Sequence, residues 1–478
     1  MTRRLLVALM ATAFTLAGCG GIGTDGIGTG GAGDFGATPG GSQDIGLART
    51  KIAQGQVPAP EDFVAEGLYS EHDLPLQGPA CNQVLCLRTA TGIAPAIDTG
   101  RQEVFVQVGF SSNVDPATFR RKPLDVALVI DRSGSMGGSP LQSVKEAARR
   151  LVSKLDENDT FSLVVFDDDV KTLVQQQSAA AREALLKAID TIEVDGGTCI
   201  ECGLKEGYAQ LAKREVDPAR ARRLFLFTDA MPNVGATGDG EFMDLLRGNS
   251  DQGRDTTVFG VNIAFGQELV TKISAVRGSN YFYLSNADRT REVFDEDFDF
   301  LVTPIAYDLH MALAPSEGFR VEAVYGVPGV SPGASTATMD VATVFLSRRR
   351  GAIVARLSST GEVQPGQQVV ANGFSFNPTA GEAAPEVALT ASYEGSEPLS
   401  STSTWYSQNT VRKTVALTNF ILGARQACEH WGKGEKAAAR EVADRTAALL
   451  QAEAQALDDE PLRTEAELAG KLAALMVP

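Results

Sequence analysis

The hexapeptide Asp131-Arg132-Ser133-Gly134-Ser135-Met136 sets one carboxylate and two hydroxyls at alternate positions, directly after an apolar run at 125–130. If that run is a strand, the three side chains face one way beyond its carboxyl end. Two more segments carry oxygen donors beside comparable runs: Gly196-Gly197-Thr198 ahead of a helical stretch, and Phe227-Thr228-Asp229 closing an apolar run. Asp131, Ser133, Ser135, Thr198 and Asp229 together make an oxygen set suited to a hard divalent cation, because Mg²⁺ takes six oxygens and readily keeps waters. A shell dominated by neutral hydroxyls leaves such an ion electrophilic toward a carboxylate from outside. Any one of these Ser, Thr or Asp residues could serve only as a helix N-cap; the ordered set of five carries the reading. The three histidines (His72, His310, His430) are far apart in sequence. No His or Glu beside the motif offers itself as a general base, which disfavours the competing reading of a metal-assisted hydrolase. A scaffold in which the ion only staples loops is the third reading, and the leading expectation is a binding protein rather than an enzyme.

These loops need a frame. From about 123 to 303 short apolar runs alternate with amphipathic helical stretches, the pattern of a doubly wound, mostly parallel α/β sheet. Strands are predicted at 125–130, 161–166, 224–228, 257–263 and 281–284, with a short antiparallel edge at 171–174 after the Asp167-Asp168-Asp169 turn. Helices are predicted near 139–155, 179–190, 200–214, 240–249, 266–276 and 288–302. In such a sheet the ligand site lies outside the carboxyl ends of the strands, where strand order reverses. Residues 102–110 alternate like a half-buried strand. Residues 304–405 turn rich in Gly, Pro, Ser, Thr and Val with a two-residue period, predicting an all-β, sandwich-like domain. If 102–110 pairs into it, the α/β domain is an insertion. Residues 406–478 read as a helical hairpin broken near 458–461, and 46–122 as an N-terminal segment with strands.

With strand context, Asp-x-Ser-x-Ser, the Thr of Gly-Gly-Thr and the Asp of Thr-Asp-Ala stand in the order of the metal-ion-dependent adhesion site. Over about 125–303 the chain resembles the von Willebrand factor type A domain, a Rossmann-like fold. The resemblance implies that Ser133 and Ser135 bind Mg²⁺ or Mn²⁺ directly, that Thr198 does so when ligand is bound, and that Asp131 and Asp229 act through water. It also implies a protein partner whose Asp or Glu completes the octahedron. The wider layout, including 411–419 opening a helical tail, resembles bacterial lipoproteins related to inter-alpha-trypsin inhibitor heavy chains. Two departures are Cys199, where relatives often carry Asn, and Ala230, where Gly is usual. Gly134 to Gly138 does not give GxGxxG, so no nucleotide is expected despite the shared sheet.

The start of the chain reads as an export signal. Arg3 and Arg4 precede an apolar stretch ending Leu16-Ala17-Gly18-Cys19, so 1–18 is predicted to be a signal peptide. The ending resembles the bacterial lipobox, which implies acylation of Cys19 and anchoring by lipid tails. Gly20, rather than Asp, resembles outer-membrane sorting, so the expected location is the bacterial cell envelope. Half of the residues from 20 to 41 are glycine, and 19–45 is predicted to be a flexible tether.

Of the remaining cysteines, Cys81 and Cys86 suggest a short-loop disulfide in an oxidising compartment. Cys199 and Cys202 form a CxxC that is a redox pair, a structural disulfide or two quiet thiols, and Cys428 is left as a small buried hydrophobe. A net charge of −17 from 43 basic and 60 acidic residues argues against nucleic acid, which demands a basic surface. The acidic run 295–299 and the arginines 348–350 are expected to be solvated faces.

Overall fold

A computed structural model describes residues 35–229, 239–261, 267–328, 330, 335, 337–379, 385–399 and 403–477. The predicted signal peptide, Cys19, most of the predicted tether and Ala230 lie outside the described residues. The chain opens with β1 (Gly36–Pro39), α1 (Gly46–Ala53) and α2 (Ala65–Glu71), then an antiparallel hairpin of β2 (Cys86–Pro95) and β3 (Gln102–Ser111). An α/β unit follows: β4 (Leu124–Asp131), α3 (Ser139–Lys154), β5 (Thr160–Phe166), β6 (Val170–Ser178), α4 (Arg182–Asp190), α5 (Ile200–Ala212), β7 (Ala221–Thr228), α6 (Asp239–Ser250), β8 (Arg254–Val261), α7 (Gln267–Ser274), β9 (Asn280–Leu284), α8 (Ala287–Arg291) and α9 (Phe298–Leu301). The rest comprises β10 (Pro304–Pro315), β11 (Phe319–Tyr325), β12 (Thr338–Ser347), β13 (Ala352–Ser359), β14 (Gln368–Pro378), β15 (Glu386–Ser392), β16 (Trp405–Tyr406), α10 (Asn409–Gly432), α11 (Lys436–Leu457) and α12 (Glu460–Leu475).

The α/β sheet runs β6-β5-β4-β7-β8-β9, parallel except for the antiparallel edge β6. Its central strands are continuous apolar runs because helices cover both faces. Along β4, Val126, Leu128 and Ile130 pack with Val144 and Leu151 of α3, while Ala127 and Val129 pack with Leu204 and Tyr208 of α5. The predicted strands and helices of this unit appear within a few residues of their expected limits, except that the helix predicted at 288–302 is broken into α8, a π-helical turn at Glu292–Glu296 and α9, and the edge strand predicted at 171–174 runs from Val170 to Ser178.

The other ten strands form one antiparallel sheet. In it β3 pairs with β2 on one edge and with β13 on the other, so strands from before and after the α/β unit share a ladder. Val104, Val106, Val108 and Phe110 of β3 join Leu309, Met311, Val341 and Leu357 in one core. The alternation in β3 predicts one wet face, but the structure buries nearly the whole strand. The second face lies beneath α10 and α2: Phe105 joins the helical cluster, Gln107 Nε2 donates to Leu74 O (3.0 Å), and Glu103 pairs with Arg356 (2.6 Å).

Three expectations are corrected. The end of the predicted tether is folded: β1 pairs with β12 and touches β3, and Gln43 N donates to Tyr281 O (3.2 Å). Backbone hydrogen bonds and small size hold it. A Cβ on Gly36 would stand 2.0 Å from Arg349 O. The C-terminal region is three helices rather than a hairpin. The break at 458–461 is present, with Asp458 at φ +50° and Asp459 capping α12. A second break falls after α10, where Gly434 takes φ +81°, a conformation that costs glycine little. The acidic run 295–299 and the arginines 348–350, expected to be solvated faces, pair with each other: Arg348 Nε binds Asp297 (2.6 Å) and Arg348 Nη2 binds Glu296 (2.9 Å).

Candidate metal centre

β4 and β7 lie side by side, with Ile130 opposite Phe227. The chain leaves β4 toward β5 on one side and leaves β7 toward β8 on the other, so the crevice above them is the switch point of the sheet. Asp131 ends β4, Thr228 ends β7, and Asp229 follows.

Asp131 is fully buried and held from two directions: Oδ1 accepts from Ser133 N (2.8 Å) and Oδ2 from Thr228 Oγ1 (2.6 Å). Ser133 Oγ stands 3.1 Å from Ser135 Oγ, and Ser135 Oγ donates to Asp229 Oδ1 (2.8 Å). Asp131, Ser133, Ser135 and Asp229 thus form one string of oxygens across the two strand ends. Burial raises the pKa of both carboxyls against the pull of these hydrogen bonds, and the charge of Asp229 adds to the effect on Asp131. Two desolvated acids with no basic side chain bonded to them among the described residues favour a bound cation. Among the described residues no three His, Cys, Asp or Glu cluster to hold a metal, so an ion here relies on hydroxyls.

Thr198 is half-buried at the head of α5. Its loop leans on the Asp-x-Ser-x-Ser loop: Gly134 N donates to Gly196 O (3.2 Å), and Asp195 N to Arg132 O (2.7 Å). The loop is braced from behind by residues that the sequence reading treated only as a turn. Asp168 Oδ2 accepts from Gly197 N (2.8 Å), Asp167 O accepts from Cys199 N (2.8 Å), and the Asp167 carboxylate pairs with Arg132. A Cβ on Gly197 would meet Asp168 Oδ1 at 2.4 Å, so a larger residue there would push aside the carboxylate that holds the loop. Thr228, Arg132, Asp167 and Asp168 are the functional residues the sequence reading missed. Three acids at the carboxyl end of the neighbouring strand were the available signal.

Cys199 and Cys202 are joined by a disulfide at the start of α5, and Cys81 and Cys86 by another at the start of β2. Cys428 is free and buried among the C-terminal helices, its thiol pKa pushed up to about 12 by desolvation. The histidines sit elsewhere: His72 is buried beside Glu465, His310 pairs with Asp340 and His430 with Glu435.

An open α/β sheet with hydroxyls and carboxylates strung across its switch point defines a class of domain, and the sequence profile of the von Willebrand factor type A domain matches residues 125–296. This part of the chain is a von Willebrand factor type A domain, a class that generally mediates protein–protein adhesion through a metal site. The uncharacterized protein sll0103 of Synechocystis is 31% identical over 213 residues, covering 45% of this chain and 50% of that protein. Inter-alpha-trypsin inhibitor heavy chain H3 of Homo sapiens is 31% identical over 171 residues, covering 34% of this chain and 18% of that protein. The chain therefore spans half or less of the length of these relatives. A von Willebrand factor type A structure from Catenulispora acidiphila superposes with a TM-score of 0.53 at 13% identity, over 84% of this chain and 98% of that one. That likeness is one of fold, and it reaches well beyond the α/β unit.

Proposed function

We propose that the protein is a non-catalytic binding protein that holds Mg²⁺ or Mn²⁺ at the carboxyl edge of its α/β sheet and captures an Asp or Glu of a protein partner there. The string Asp131–Ser133–Ser135–Asp229 carries this reading. In it Ser133 and Ser135 hold the ion through their hydroxyls, with Thr198 as a third hydroxyl, and Asp131 and Asp229 act through water. The ion, when bound, supplies an electrophilic position for the partner's carboxylate. Thr228 keeps the Asp131 carboxylate aimed, and the Arg132–Asp167 pair keeps the two loops together.

In the same proposal the protein is exported by 1–18, acylated at Cys19 and anchored in the bacterial envelope, at the outer membrane. The motif at 16–20 supports this. Among the described residues no helix is long and apolar enough to cross a membrane.

Titrating the protein with Mg²⁺ while following thermal unfolding tests the metal site. An ion at tenfold to hundredfold its Kd should stabilise by about 1–3 kcal/mol, and Asp131→Ala should abolish the effect. A wild-type protein indifferent to Mg²⁺ and Mn²⁺ rejects the reading. A pull-down from envelope extract, Mg²⁺ against EDTA, then tests for the partner.

A further inference from the structure

The Cys199–Cys202 bridge begins one residue after Thr198, and nothing in the metal reading uses it. Cys199 is the N-cap residue of α5 and Cys202 its third helical residue. Those are the two positions that an ordinary capping side chain links by a hydrogen bond. Cys199 makes no side-chain cap hydrogen bond, so the bridge does covalently what a Ser or Asp cap does elsewhere. The loop carrying Thr198 is then pinned on both sides. Before Thr198 it is tied through Asp195, Gly196 and Gly197; after it, through the Cys199 amide and the bridge.

We propose that this bridge is a redox control on the metal site: closed, it holds Thr198 in place for the ion, and opening it weakens metal binding. The inference rests on the proposed metal site. Both cysteines are half-exposed, so the bridge is open to exchange with a thiol from outside. Cys428, the free cysteine among the described residues, is buried in the helical cluster and cannot reach it. The reductant is therefore an external dithiol. Its first thiolate attacks one sulfur and forms a mixed disulfide, and its second thiol displaces that bond. The dithiol loses two electrons and two protons and becomes a disulfide, while Cys199 and Cys202 each gain one electron and one proton. Freed, Cys199 is a poor cap, and the first turn of α5 can fray beside Thr198.

The test uses the protein carrying Cys81→Ser and Cys86→Ser, so that one bridge remains. Mn²⁺ affinity is measured by calorimetry with the bridge oxidised, after reduction by a dithiol exchanged away under nitrogen, and in Cys199→Ala/Cys202→Ala without reductant. Reduction and the double alanine change should each weaken binding about threefold to tenfold. Cys199→Ser/Cys202→Ala, which returns a capping hydroxyl, should recover part of the loss. By reciprocity, saturating Mn²⁺ should shift the bridge's reduction equilibrium toward the oxidised form by the same factor. Equal affinity in the oxidised and reduced forms overturns the redox control and leaves the metal site standing. Binding in neither form overturns both.

Discussion

Asp131 depends on a threonine 97 positions away, and that dependence decides what a small change does. Thr228→Val keeps the volume but removes the hydroxyl that satisfies Oδ2, leaving a buried acceptor short of a donor. Stability should fall by about 1–3 kcal/mol in denaturant titrations. Mg²⁺ affinity should fall with it, because the carboxylate loses its aim; unchanged affinity would remove Thr228 from the site. The alternation of Asp131, Ser133 and Ser135 was legible because three donors within five residues of a strand end need no knowledge of the fold. Thr228 stood in a segment quoted for its aspartate, yet its role shows only when β4 and β7 lie together. Arg132 and Asp167 form their pair across two loops, which no local pattern announces.

The central strands of the α/β unit were readable because helices on both faces make them largely apolar runs. For β3 the same logic misled. Its polar positions promise water, and α10 supplies Asn419, whose Oδ1 accepts from Ile97 N (2.9 Å) next to that strand. The packing of α10 on α2 also creates a pH dependence. Glu66 on α2 is pushed up to about 7 by desolvation, against the pull of Arg425 on α10. Its folded value lies above its unfolded one, so the ionised form is disfavoured in the folded state. The protein should therefore lose stability as pH rises from about 4.5 through 7. The side chain is partly exposed, so water screens it, and the loss should be on the order of 1–2 kcal/mol between pH 5 and 8. Glu66→Gln should remove this part of the slope in urea denaturation at the two pH values.

At the scale of the molecule, residues 36–45 bind the antiparallel sheet to the α/β unit. β1 lies on β12, Gly40 N donates to Thr343 O (2.7 Å), and Asp44 Oδ2 accepts from Tyr283 N (3.2 Å). Gly36→Val places its branched side chain against the backbone of Arg349, so β1 must leave the sheet. We expect about 2–4 kcal/mol of destabilisation in thermal unfolding, with Mg²⁺ still bound, since β1 does not reach the metal loops. Glycine richness concealed this segment, because its sheet pairing is made by backbone and carries no apolar period.

Arg121 shows what the placement of the α/β unit entails. It binds Asp159 (2.6 Å), just before β5, and Asp299 (3.0 Å) in α9, the last helix before β10, so the two junctions with the antiparallel sheet are fastened together near the amino ends of the strands. The oxygens of Asp131 and Asp229 sit at the opposite ends. A pull on anything gripped there would run lengthwise down β4, loading its ladders to β5 and β7 in shear, all rungs at once rather than one after another. Drawn between residues 135 and 300 in an optical trap, the unit should resist a larger force than when drawn across its edge at residues 174 and 284. The grip and its mounting would then share one axis, suited to holding under tension.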